Sequence, residues 1–462
     1  MEQQKADAII IGAGMSGMAS AIRLAMFGKK VILCERHLIP GGLNSYYHRG
    51  KRQFDVGLHA LTNYVPKGQK GPLTKLMKQL RIPYDAFDLI PQRRSLIQFK
   101  SASLAFTNEF EYFRSEIAKT FSHEIENFDR LVDKIKNFNE VALNNEYLSA
   151  KLVVSQFIKE PLLKEMIFAP LMIYGSAWEN DMDFSQFVIM FKALYFEGFS
   201  RPRGGVRTII NLLMKKMEEL SVDVRFKTGI AAIITKDNKV VGVETDRGDI
   251  IEAHQVYSSA GYAETLNLLT DKVDYRPRIG NLSFTESIFC FDKKFETAGM
   301  RDTIIFYNDS DTYHYQAPLD LYDPRSAVIC FPNNYAEDDS AEAMARVTYI
   351  ANYTKWLELP RPHYLEEKCK MGIKALELIQ KIAPSYDGVV LFKDIFSPTT
   401  VTRYTGHYGG AVYGSPDKTR SGASGVSGLS IIGTDQGFLG IVGAMLSGIS
   451  IANLYGLSGA EA

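Results

Sequence analysis

The sequence is poor in cysteine, and its cysteines follow no functional spacing. The chain of 462 residues contains four, far apart, with no CxxC motif and no Cys/His pairing: Cys34, Cys290, Cys330 and Cys369. This pattern excludes a zinc site and a redox-active dithiol, and isolated cysteines are typical of a reducing compartment. We therefore expect no metal ion and a cytoplasmic protein.

The chain also lacks an excess of charge of either sign. Lysine plus arginine and aspartate plus glutamate both number 53. Nothing in this balance favours nucleic acid as a partner. The opening residues MEQQKAD are polar, so a cleavable signal peptide is not expected.

Long hydrophobic runs are absent, with the exception of the uncharged stretch 437–460. Its length raises the question of a transmembrane helix, but it has few bulky aliphatic residues for its length. It contains the glycines Gly437, Gly440, Gly443, Gly448, Gly456 and Gly459. We expect this stretch to be buried inside the protein.

The first 35 residues contain a nucleotide-binding pattern. The apolar run 9–11 predicts a buried parallel strand, a GxGxxG motif and a helix follow, and a second strand, VILCE, ends at Glu35. Glycines permit a tight turn and the close approach of a pyrophosphate, and the N-terminus of the helix binds phosphate. Glu35 is expected to accept hydrogen bonds from the ribose hydroxyls. The predicted cofactor-binding residues here are Gly12, Gly14, Met15, Ser16, Gly17 and Glu35.

Two further elements favour FAD over NAD. HLIPGGLNSYY places Gly41 and Gly42 shortly after Glu35, and RQFDVGLHAL follows. Together with the first motif they resemble the phytoene desaturase, carotenoid isomerase and retinol saturase family of FAD-dependent oxidoreductases, a branch of the amine-oxidase-like superfamily. Many members have arginine directly after the glycine pair, where this chain has Leu43. Backbone dipoles or Arg36 would then meet the phosphate charge.

The resemblance also implies cofactor contacts later in the chain. RPRGGVRTII is similar to the family's PxGGxxxL element, after which a strand presents backbone to the adenine, here at Ile230. In LSIIGTDQGFLGIVGAMLSG the family's acid, here Asp435, accepts hydrogen bonds from the ribityl chain. The next helix directs its N-terminus at the N1–C2=O edge of the isoalloxazine. This assigns Gly433, Asp435, Gly440, Ile441 and Val442 to FAD.

Few side chains are expected near the flavin ring. His59 lies in the element FDVGLHAL, which passes close to the ring in the resembled family. Arg403, Tyr404 and His407 precede the flavin strand, where the family's substrate tunnel meets the cofactor. We expect His59, Tyr404 and His407 to be catalytic, and the alternative for each is a structural hydrogen-bonding role.

The predicted fold class is α/β, with a GR2-type Rossmann-like FAD-binding domain and a discontinuous substrate-binding domain of mixed β-sheet and helices. The predicted FAD-binding segments are 1–75, 200–275 and 395–462, and the predicted substrate-binding segments are 76–199 and 276–394. Periodicity predicts amphipathic helix in 106–142 and helix in AEAMARVTYIANYTKWLEL. Residues 160–199 favour helical core, or else the wall of a lipid pocket.

The resulting hypothesis is an FAD-dependent oxidoreductase that transfers hydride between flavin and an apolar isoprenoid, a carotenoid or retinoid, as a saturase, isomerase or desaturase. GHYGGAVYG favours the isomerase and saturase branches slightly. Because a second dinucleotide motif is missing, we expect an external electron donor or acceptor. We also expect peripheral membrane contact, with Leu162 to Tyr174 as the docking surface. The alternatives are a flavin amine oxidase and a non-catalytic FAD-containing lipid-binding protein.

Overall fold

The computed structural model describes residues 4–335 and 341–458. The strands in these residues are β1 (Gln4–Lys5), β2 (Ala8–Ile11), β3 (Val31–Glu35), β4 (Tyr46–Arg49), β5 (Arg52–Asp55), β6 (Leu89–Pro91), β7 (Ser95–Gln98), β8 (Ser103–Phe106), β9 (Ser200–Pro202), β10 (Asp223–Phe226), β11 (Ile230–Lys236), β12 (Lys239–Thr245), β13 (Ile250–Glu252), β14 (Val256–Ser258), β15 (Ser283–Phe291), β16 (Ile304–Asn308), β17 (Ser326–Cys330), β18 (Ala343–Ala351), β19 (Val390–Phe396) and β20 (Leu429–Ile431).

Helices alternate with these strands along the same residues. The α-helices are α1 (Met15–Ala25), α2 (Pro72–Leu80), α3 (Phe110–Thr120), α4 (Ile125–Asn137), α5 (Ala150–Phe157), α6 (Pro161–Gly175), α7 (Phe184–Phe191), α8 (Val206–Glu219), α9 (Tyr262–Leu268), α10 (Tyr353–Leu357), α11 (Arg361–Ile382), α12 (Pro398–Thr405) and α13 (Gly440–Ile451). Single π-helical segments, Lys192–Glu197 and Ala452–Leu457, extend α7 and α13.

A five-stranded parallel sheet, in the order β10-β3-β2-β14-β20, forms the first layer. All four residues of β2 are buried, as its uninterrupted apolar sequence predicts for a strand covered on both faces. Gly12 turns the chain from β2 into α1 with φ +91°. A Cβ on Gly17 would lie 2.0 Å from the carbonyl oxygen of Gly12, so only glycine allows α1 to pack this closely on the turn.

A seven-stranded mixed sheet, in the order β19-β15-β18-β17-β16-β7-β8, forms the second layer. The small antiparallel pair β6–β9 joins the segment before α3 to the segment after α7. Strands β11, β12 and β13 form an antiparallel meander, with Asp237 and Asn238 both at positive φ in its first turn. The α/β fold class is confirmed by this arrangement.

One secondary-structure prediction was wrong, and another was confirmed in part. Residues 343–351 form β18 rather than helix, because they pair along their whole length with β15. Their β-branched and aromatic residues suit a buried strand, and long-range pairing decides the outcome. The expected helix in 106–142 is divided into α3 and α4 by a turn of 3₁₀-helix, Ser122–Glu124. There the buried Glu124 carboxylate accepts hydrogen bonds from the backbone N–H groups of Lys159 and Glu160.

The parallel sheet takes its strands from residues 8–11, 31–35, 223–226, 256–258 and 429–431. The exact domain boundaries stay a prediction, although two elements cross them. Helix α2 crosses the boundary at 75 and packs against α1 and α13. Strand β19 crosses the boundary at 394 and belongs to the mixed sheet.

The prediction that Leu162 to Tyr174 form a membrane-docking surface is wrong. These residues lie in α6, whose side chains are buried on nearly every face within a core shared with α3, α4 and α7. Leu163, Met166 and Phe168 have no exposed surface at all. An element so enclosed has no apolar face left for lipid, which favours the core interpretation of 160–199. Peripheral membrane contact itself stays a prediction.

The glycine-rich C-terminal helix lies inside the protein. Within the described residues, one helix, Gly440–Leu457, is long and apolar enough by composition to cross a membrane, with a mean hydropathy of 1.5. It packs against α1 and α2 instead. A Cβ on Gly448 would lie 2.1 Å from the carbonyl oxygen of Ser16, so the backbones of α13 and α1 are in direct contact.

We predict that Gly448→Ala destabilises the protein by about 1–3 kcal/mol, because the new methyl group meets a backbone carbonyl that cannot move without displacing α1. Thermal or urea unfolding measures the change. The matched control is Gly372→Ala in α11, where the new Cβ would meet only the flexible end of Ile395. Equal stability of the two variants would contradict the packing described for α1 and α13.

Candidate functional site

One cavity lies between the two sheets, with about 1640 Å³ of space between its walls, its open mouth included. One side is glycine-rich backbone from the parallel-sheet layer. The other side consists largely of apolar side chains from α6, α7 and the mixed sheet. The two sides therefore differ in chemistry.

The N-termini of two helices open onto the cavity. Gly14, Met15 and Ser16 at the start of α1 line it, as do Gly440 and Ile441 at the start of α13. Neither helix has a side-chain cap or an acidic residue in its first turn. The first N–H groups of both helices are therefore available to a ligand, and both dipoles favour negative charge at this place.

The glycines of this side form a cradle. A Cβ on Gly14 would have its nearest neighbour 3.8 Å away at Ser259, and one on Gly440 would have its nearest neighbour 3.8 Å away at Thr62. The space beside these glycines therefore opens into the cavity. Gly41 and Gly42 stand next to Gly14, which forms a bridge to Gly41. A dinucleotide backbone fits such a surface, because nothing projects from it.

Glu35, Arg36 and Ile230 lie together beyond the end of the cavity. The Glu35 carboxylate accepts hydrogen bonds from the backbone N–H groups of Ala13 and His37, each at 2.7 Å. The Arg36 guanidinium covers Gly406, where a Cβ would lie 2.7 Å from its central carbon. Ile230 opens β11 after Gly229, which packs against Arg36. This places the expected adenosine contacts at one edge of the parallel sheet.

Asp435 lies buried between the two helix starts and lines the cavity. Its carboxylate accepts the N–H groups of Tyr262 at 2.5 Å and Ser415 at 2.7 Å, and forms an ion pair with Lys418 at 3.3 Å. Burial lowers the pKa of Lys418, and Asp435 opposes that shift. These contacts fix the orientation of the Asp435 carboxylate at the cavity wall.

Of the three remaining predicted cofactor residues, Leu43, Gly433 and Val442, only Leu43 lines the cavity. The N–H group of Gly433 donates to Ser447 Oγ at 2.6 Å, and a Cβ there would lie 2.7 Å from Ser16 Oγ. Val442 is 1% exposed and belongs to the core between α1 and α13. Gly433 and Val442 therefore hold the helix in place behind the cavity surface.

His59 lines the cavity and belongs to a buried ionic network. Its Nε2 lies 3.2 Å from Glu286 Oε2 and 3.4 Å from Thr348 Oγ1. The other oxygen of Glu286 is bound by the guanidinium of Arg346, which also donates to the carbonyl oxygen of Leu58. Burial would raise the pKa of Glu286, but Arg346 and His59 lower it below the usual value.

His407 also lines the cavity, on the cofactor side. Its Nδ1 lies 3.6 Å from Glu264 Oε1 in α9. Burial by itself lowers the pKa of His407, but the hydrogen bond and charge of Glu264, with a further contribution from Asp435, raise it above the usual value. Glu264 also accepts the backbone N–H of Tyr408, so the pair closes the loop after α12.

The structure does not bring Tyr404 to the cavity. Its side chain is 50% exposed, and its ring lies edge-on to His37 with centroids 5.6 Å apart. Arg403 stacks on the Tyr404 ring from the same helix, α12. Because the end of α12 faces solvent here, the geometry does not support the catalytic role expected for Tyr404.

The second side of the cavity is apolar and aromatic. Ile173, Tyr174 and Met190 line it from α6 and α7, and Phe284 and Val328 line it from the mixed sheet. The hydroxyl of Tyr174 has no hydrogen-bond partner among the described residues. Burial raises the pKa of Tyr174 well above the usual value, so the phenol stays neutral. This half of the cavity suits an uncharged apolar ligand.

Sequence analysis missed Glu286, Arg346 and Lys418. A signal was present for the first, because Glu286 is the only charged residue in SFTESIFCF, a run otherwise suited to a buried strand. Arg346 similarly interrupts AMARVTYIA. Pairing of β15 with β18 brings these two strands side by side, with Glu286 directly opposite Thr348.

The parallel sheet, the glycine turn and the two helix N-termini around one cavity define a nucleotide-cofactor-binding oxidoreductase fold. The sequence pattern of the family described as "Flavin containing amine oxidoreductase" matches residues 15–454. The chain therefore belongs to this family, and it is a flavin-dependent oxidoreductase.

Relatives with known names support a narrower grouping. Prolycopene isomerase of Daucus carota is 23% identical over 500 residues, which cover 97% of this chain and 79% of that protein. The 4,4'-diaponeurosporene oxygenase of Staphylococcus haemolyticus is 22% identical and covers 90% of this chain and 88% of its own length. The resemblance to the carotenoid desaturase and isomerase enzymes is confirmed.

Solved structures support the fold as well. An oxidoreductase from Methanosarcina mazei superimposes with a TM-score of 0.68 at 16% sequence identity, covering 97% of this chain and 100% of that one. At this identity the likeness concerns the fold alone.

We predict that His407→Gln destabilises the protein most at low pH. A raised folded-state pKa means that the charged imidazole stabilises the fold below its unfolded pKa of about 6.5, and that this stabilisation is lost as the pH rises through the folded value. The difference in unfolding free energy between wild type and variant should therefore be largest near pH 6 and smallest near pH 9.

The matched control is His123→Gln. His123 lies at the same 3.6 Å from a glutamate, Glu160, but its side chain is 63% exposed compared with 16% for His407. Solvent screening should leave its contribution small at every pH. A flat difference for His407→Gln across the range would contradict the buried ion pair with Glu264.

Proposed function

We propose that the protein is an FAD-dependent oxidoreductase that transfers hydride between the flavin and an apolar polyene. The observation that carries the proposal is the division of the cavity. One wall consists of two helix N-termini and has few bulky side chains. The facing wall is apolar, and Arg346 compensates the charge of its acid, Glu286. An elongated uncharged molecule can lie in this space against a flat ring system.

FAD, rather than FMN, fits the spacing of the site. Glu35 lies at the end of β3, beyond the cavity, with its carboxylate held by Ala13 and His37. FMN ends at its single phosphate and would leave Glu35, Arg36 and Ile230 without a ligand. An adenosine diphosphate half extends from the N-terminus of α1 to this edge.

When bound, the flavin supplies a hydride acceptor or donor. The start of α13 places N–H dipoles where negative charge accumulates on reduction, which favours the reduced state. Asp435 accepts hydrogen bonds from the ribityl hydroxyls in this proposal. Glu286 compensates the charge of Arg346, so no uncompensated cation stands beside the apolar wall to oppose positive charge that develops on a polyene.

An amine substrate is the second candidate, suggested by the family name. An unpaired carboxylate in the substrate half of the cavity would favour a cationic amine, as would an aromatic cage. Glu286 lines that half, but Arg346 binds it directly, so its charge is already compensated. An apolar polyene is therefore favoured over a cationic amine as the substrate. As no second nucleotide motif is found, we propose that an external electron donor or acceptor completes turnover.

We predict that the purified protein is yellow and releases FAD on denaturation, as chromatography of the free flavin can show. Asp435→Asn should weaken FAD binding about tenfold or more, because a charged acceptor of hydrogen bonds is lost. The control is Asp323→Asn, which removes a buried acid paired with Arg325 in the other layer. Release of FMN, or equal FAD affinity in both variants, would contradict the cofactor assignment.

We predict that chemically reduced enzyme reacts with a polyene under anaerobic conditions. Flavin absorbance near 450 nm and product mass are followed with a panel of carotenoids and retinoids. Reoxidation with a gain of two mass units identifies a saturase, whereas altered geometry at constant mass identifies an isomerase. Bleaching of the oxidised enzyme by a more saturated isoprenoid identifies a desaturase.

The same assay tests the role proposed for Glu286 in the reaction. Glu286→Gln should slow the reaction with polyene at least tenfold while FAD content stays unchanged, because Arg346 would then be uncompensated and would oppose positive charge that develops on the polyene. Asp302→Asn is the control, since Asp302 is a buried acid bound in the same way by an arginine, Arg94, outside the cavity. A flavin that reacts with no polyene but bleaches with amines would overturn the proposed function. A flavin inert to every reductant would indicate a non-catalytic protein.

A further inference from the structure

A chain of three hydrogen-bonded side chains connects the start of α13 to a partly buried acid. Thr62 lines the cavity, and its Oγ1 is the nearest neighbour, at 3.8 Å, of the Cβ that a side chain on Gly440 would add. Thr62 Oγ1 donates to Oδ1 of Asn63 at 2.9 Å, and Nδ2 of Asn63 donates to Oε2 of Glu197 at 2.7 Å. The chain therefore begins at the cofactor wall and ends at a carboxyl group that the proposed reaction does not use.

The backbone that carries this chain is fixed in an unusual conformation. The N–H group of Asn63 donates to the carbonyl oxygen of Ala193, and that of Tyr64 donates to the carbonyl oxygen of Gly198, each at 3.2 Å. Glu197 closes the π-helical segment, and Asn63 has φ +64°, which residues other than glycine seldom adopt. Both features occur mainly at functional sites, because the surrounding structure has to offset their cost.

The chemistry of the three groups fixes the direction of both hydrogen bonds. An ionised carboxylate only accepts, so the amide of Asn63 has to present its NH₂ group to Glu197. The amide oxygen is then left for Thr62, whose hydroxyl group has to donate to it. What Thr62 can offer to the cavity is therefore an acceptor, and the negative charge of Glu197 polarises it along the chain.

Charged groups from two elements lie around Glu197. Glu140 lies in the loop after α4, Lys192 opens the π-helical segment, and the two form an ion pair at 2.7 Å. Lys136, in the last turn of α4, lies over the ring of Phe196 with its Nζ 5.8 Å from the ring centroid. Because Glu140 and Lys192 carry opposite charges, their effects on the carboxyl group of Glu197 oppose each other.

Burial therefore has the largest effect on Glu197. It raises the pKa of Glu197 to about 7, and the hydrogen bond from Asn63 opposes the shift. The charge of Glu140 raises the pKa further, and that of Lys192 lowers it. A neutral Glu197 carries a proton that it can donate to Asn63, whose amide is then no longer held in one orientation. Below about pH 7 the hydroxyl group of Thr62 is therefore free to donate in another direction.

We propose that Glu197 is a positioning residue, which acts through Asn63 and holds the Thr62 hydroxyl group as an acceptor towards the cofactor at the start of α13. The inference rests on the proposed function, in which the electron-rich edge of the flavin lies at this helix start. An acceptor there opposes the negative charge that accumulates on reduction, whereas the N–H dipoles of α13 favour it. Protonation of Glu197 releases Thr62 to donate, so reduced flavin is favoured at low pH.

The midpoint potential of the bound flavin measures this effect in the flavin-loaded protein without any substrate. Anaerobic reduction in equilibrium with a dye of known potential gives its value at each pH. Glu197→Gln keeps the length of the side chain and removes the charge. The potential of this variant should equal that of the wild type near pH 5.5 and exceed it near pH 8.5, where its relative affinity for reduced flavin should be about tenfold higher. For a two-electron couple, that ratio corresponds to about 30 mV.

Further variants separate the hydrogen-bonded chain from a charge that acts through space. Thr62→Val keeps the shape and loses the hydroxyl group, so Glu197→Gln should have no effect on the potential in this background. In the Thr62→Ser background the effect should remain. Asn63→Gly tolerates the positive φ and breaks the chain in the middle, so the effect should be lost there too. The control is Glu140→Gln, which leaves the chain intact and should move the pH dependence to lower pH without removing it.

Equal potentials of wild type and Glu197→Gln at both pH values would overturn the inference. An effect of Glu197→Gln that persists in the Thr62→Val background would overturn it as well, since the charge would then act through space. The outcome for the proposed function is separate. If the flavin is FMN or reacts with no polyene, the proposed function fails, and the potentials of the flavin that is bound still decide the role of Glu197. If polyenes react and Glu197→Gln has no effect, the reverse holds.

Discussion

The close contact between α1 and α13 is the constraint on which the site depends. Ser16, in the first turn of α1, touches both Gly433 before α13 and Gly448 within it. A side chain on either glycine would push the helices apart. Because they lie backbone to backbone, their N-termini open onto one cavity from two directions. In the proposed function the dipoles of the two helices act on two electron-rich parts of one cofactor, the pyrophosphate and the flavin ring.

Buried charge ties the two layers together across this cavity. His59 belongs to the segment that follows the glycine pair, whereas Glu286 and Arg346 belong to the mixed sheet. Arg346 also donates to the carbonyl oxygen of Leu58, so the network reaches back to the backbone of the first layer. Removing one member would leave an uncompensated buried charge, which costs several kcal/mol. The network therefore fixes how the apolar wall faces the cofactor wall, and it also sets the field there.

The cofactor half of the site could be predicted from sequence because its determinants are local. The turn from β2 to α1 requires glycines at fixed spacing, and their positions along the chain are also their positions in space. The substrate half depends on pairing between β15 and β18, strands separated by more than 50 residues. Residues 343–351 looked helical because local periodicity carries no information about such a partner. Glu286 and Arg346 stayed hidden for the same reason.

The contrast between a wall of backbone and a wall of side chains affects how members of the family diverge in sequence. Gly14, Gly42 and Gly440 contribute backbone to the cradle, and backbone N–H groups are supplied by any sequence that keeps the fold. The cofactor wall can therefore persist while identity to a relative falls to 23% over 97% of the chain. The opposing wall consists of side chains such as Tyr174, Met190 and Glu286, and each substitution there changes shape or charge directly. Substrate choice can thus change while flavin chemistry is retained. In the proposed function, the compensated charge of Glu286 is the feature of this chain that turns the shared scaffold towards uncharged substrates.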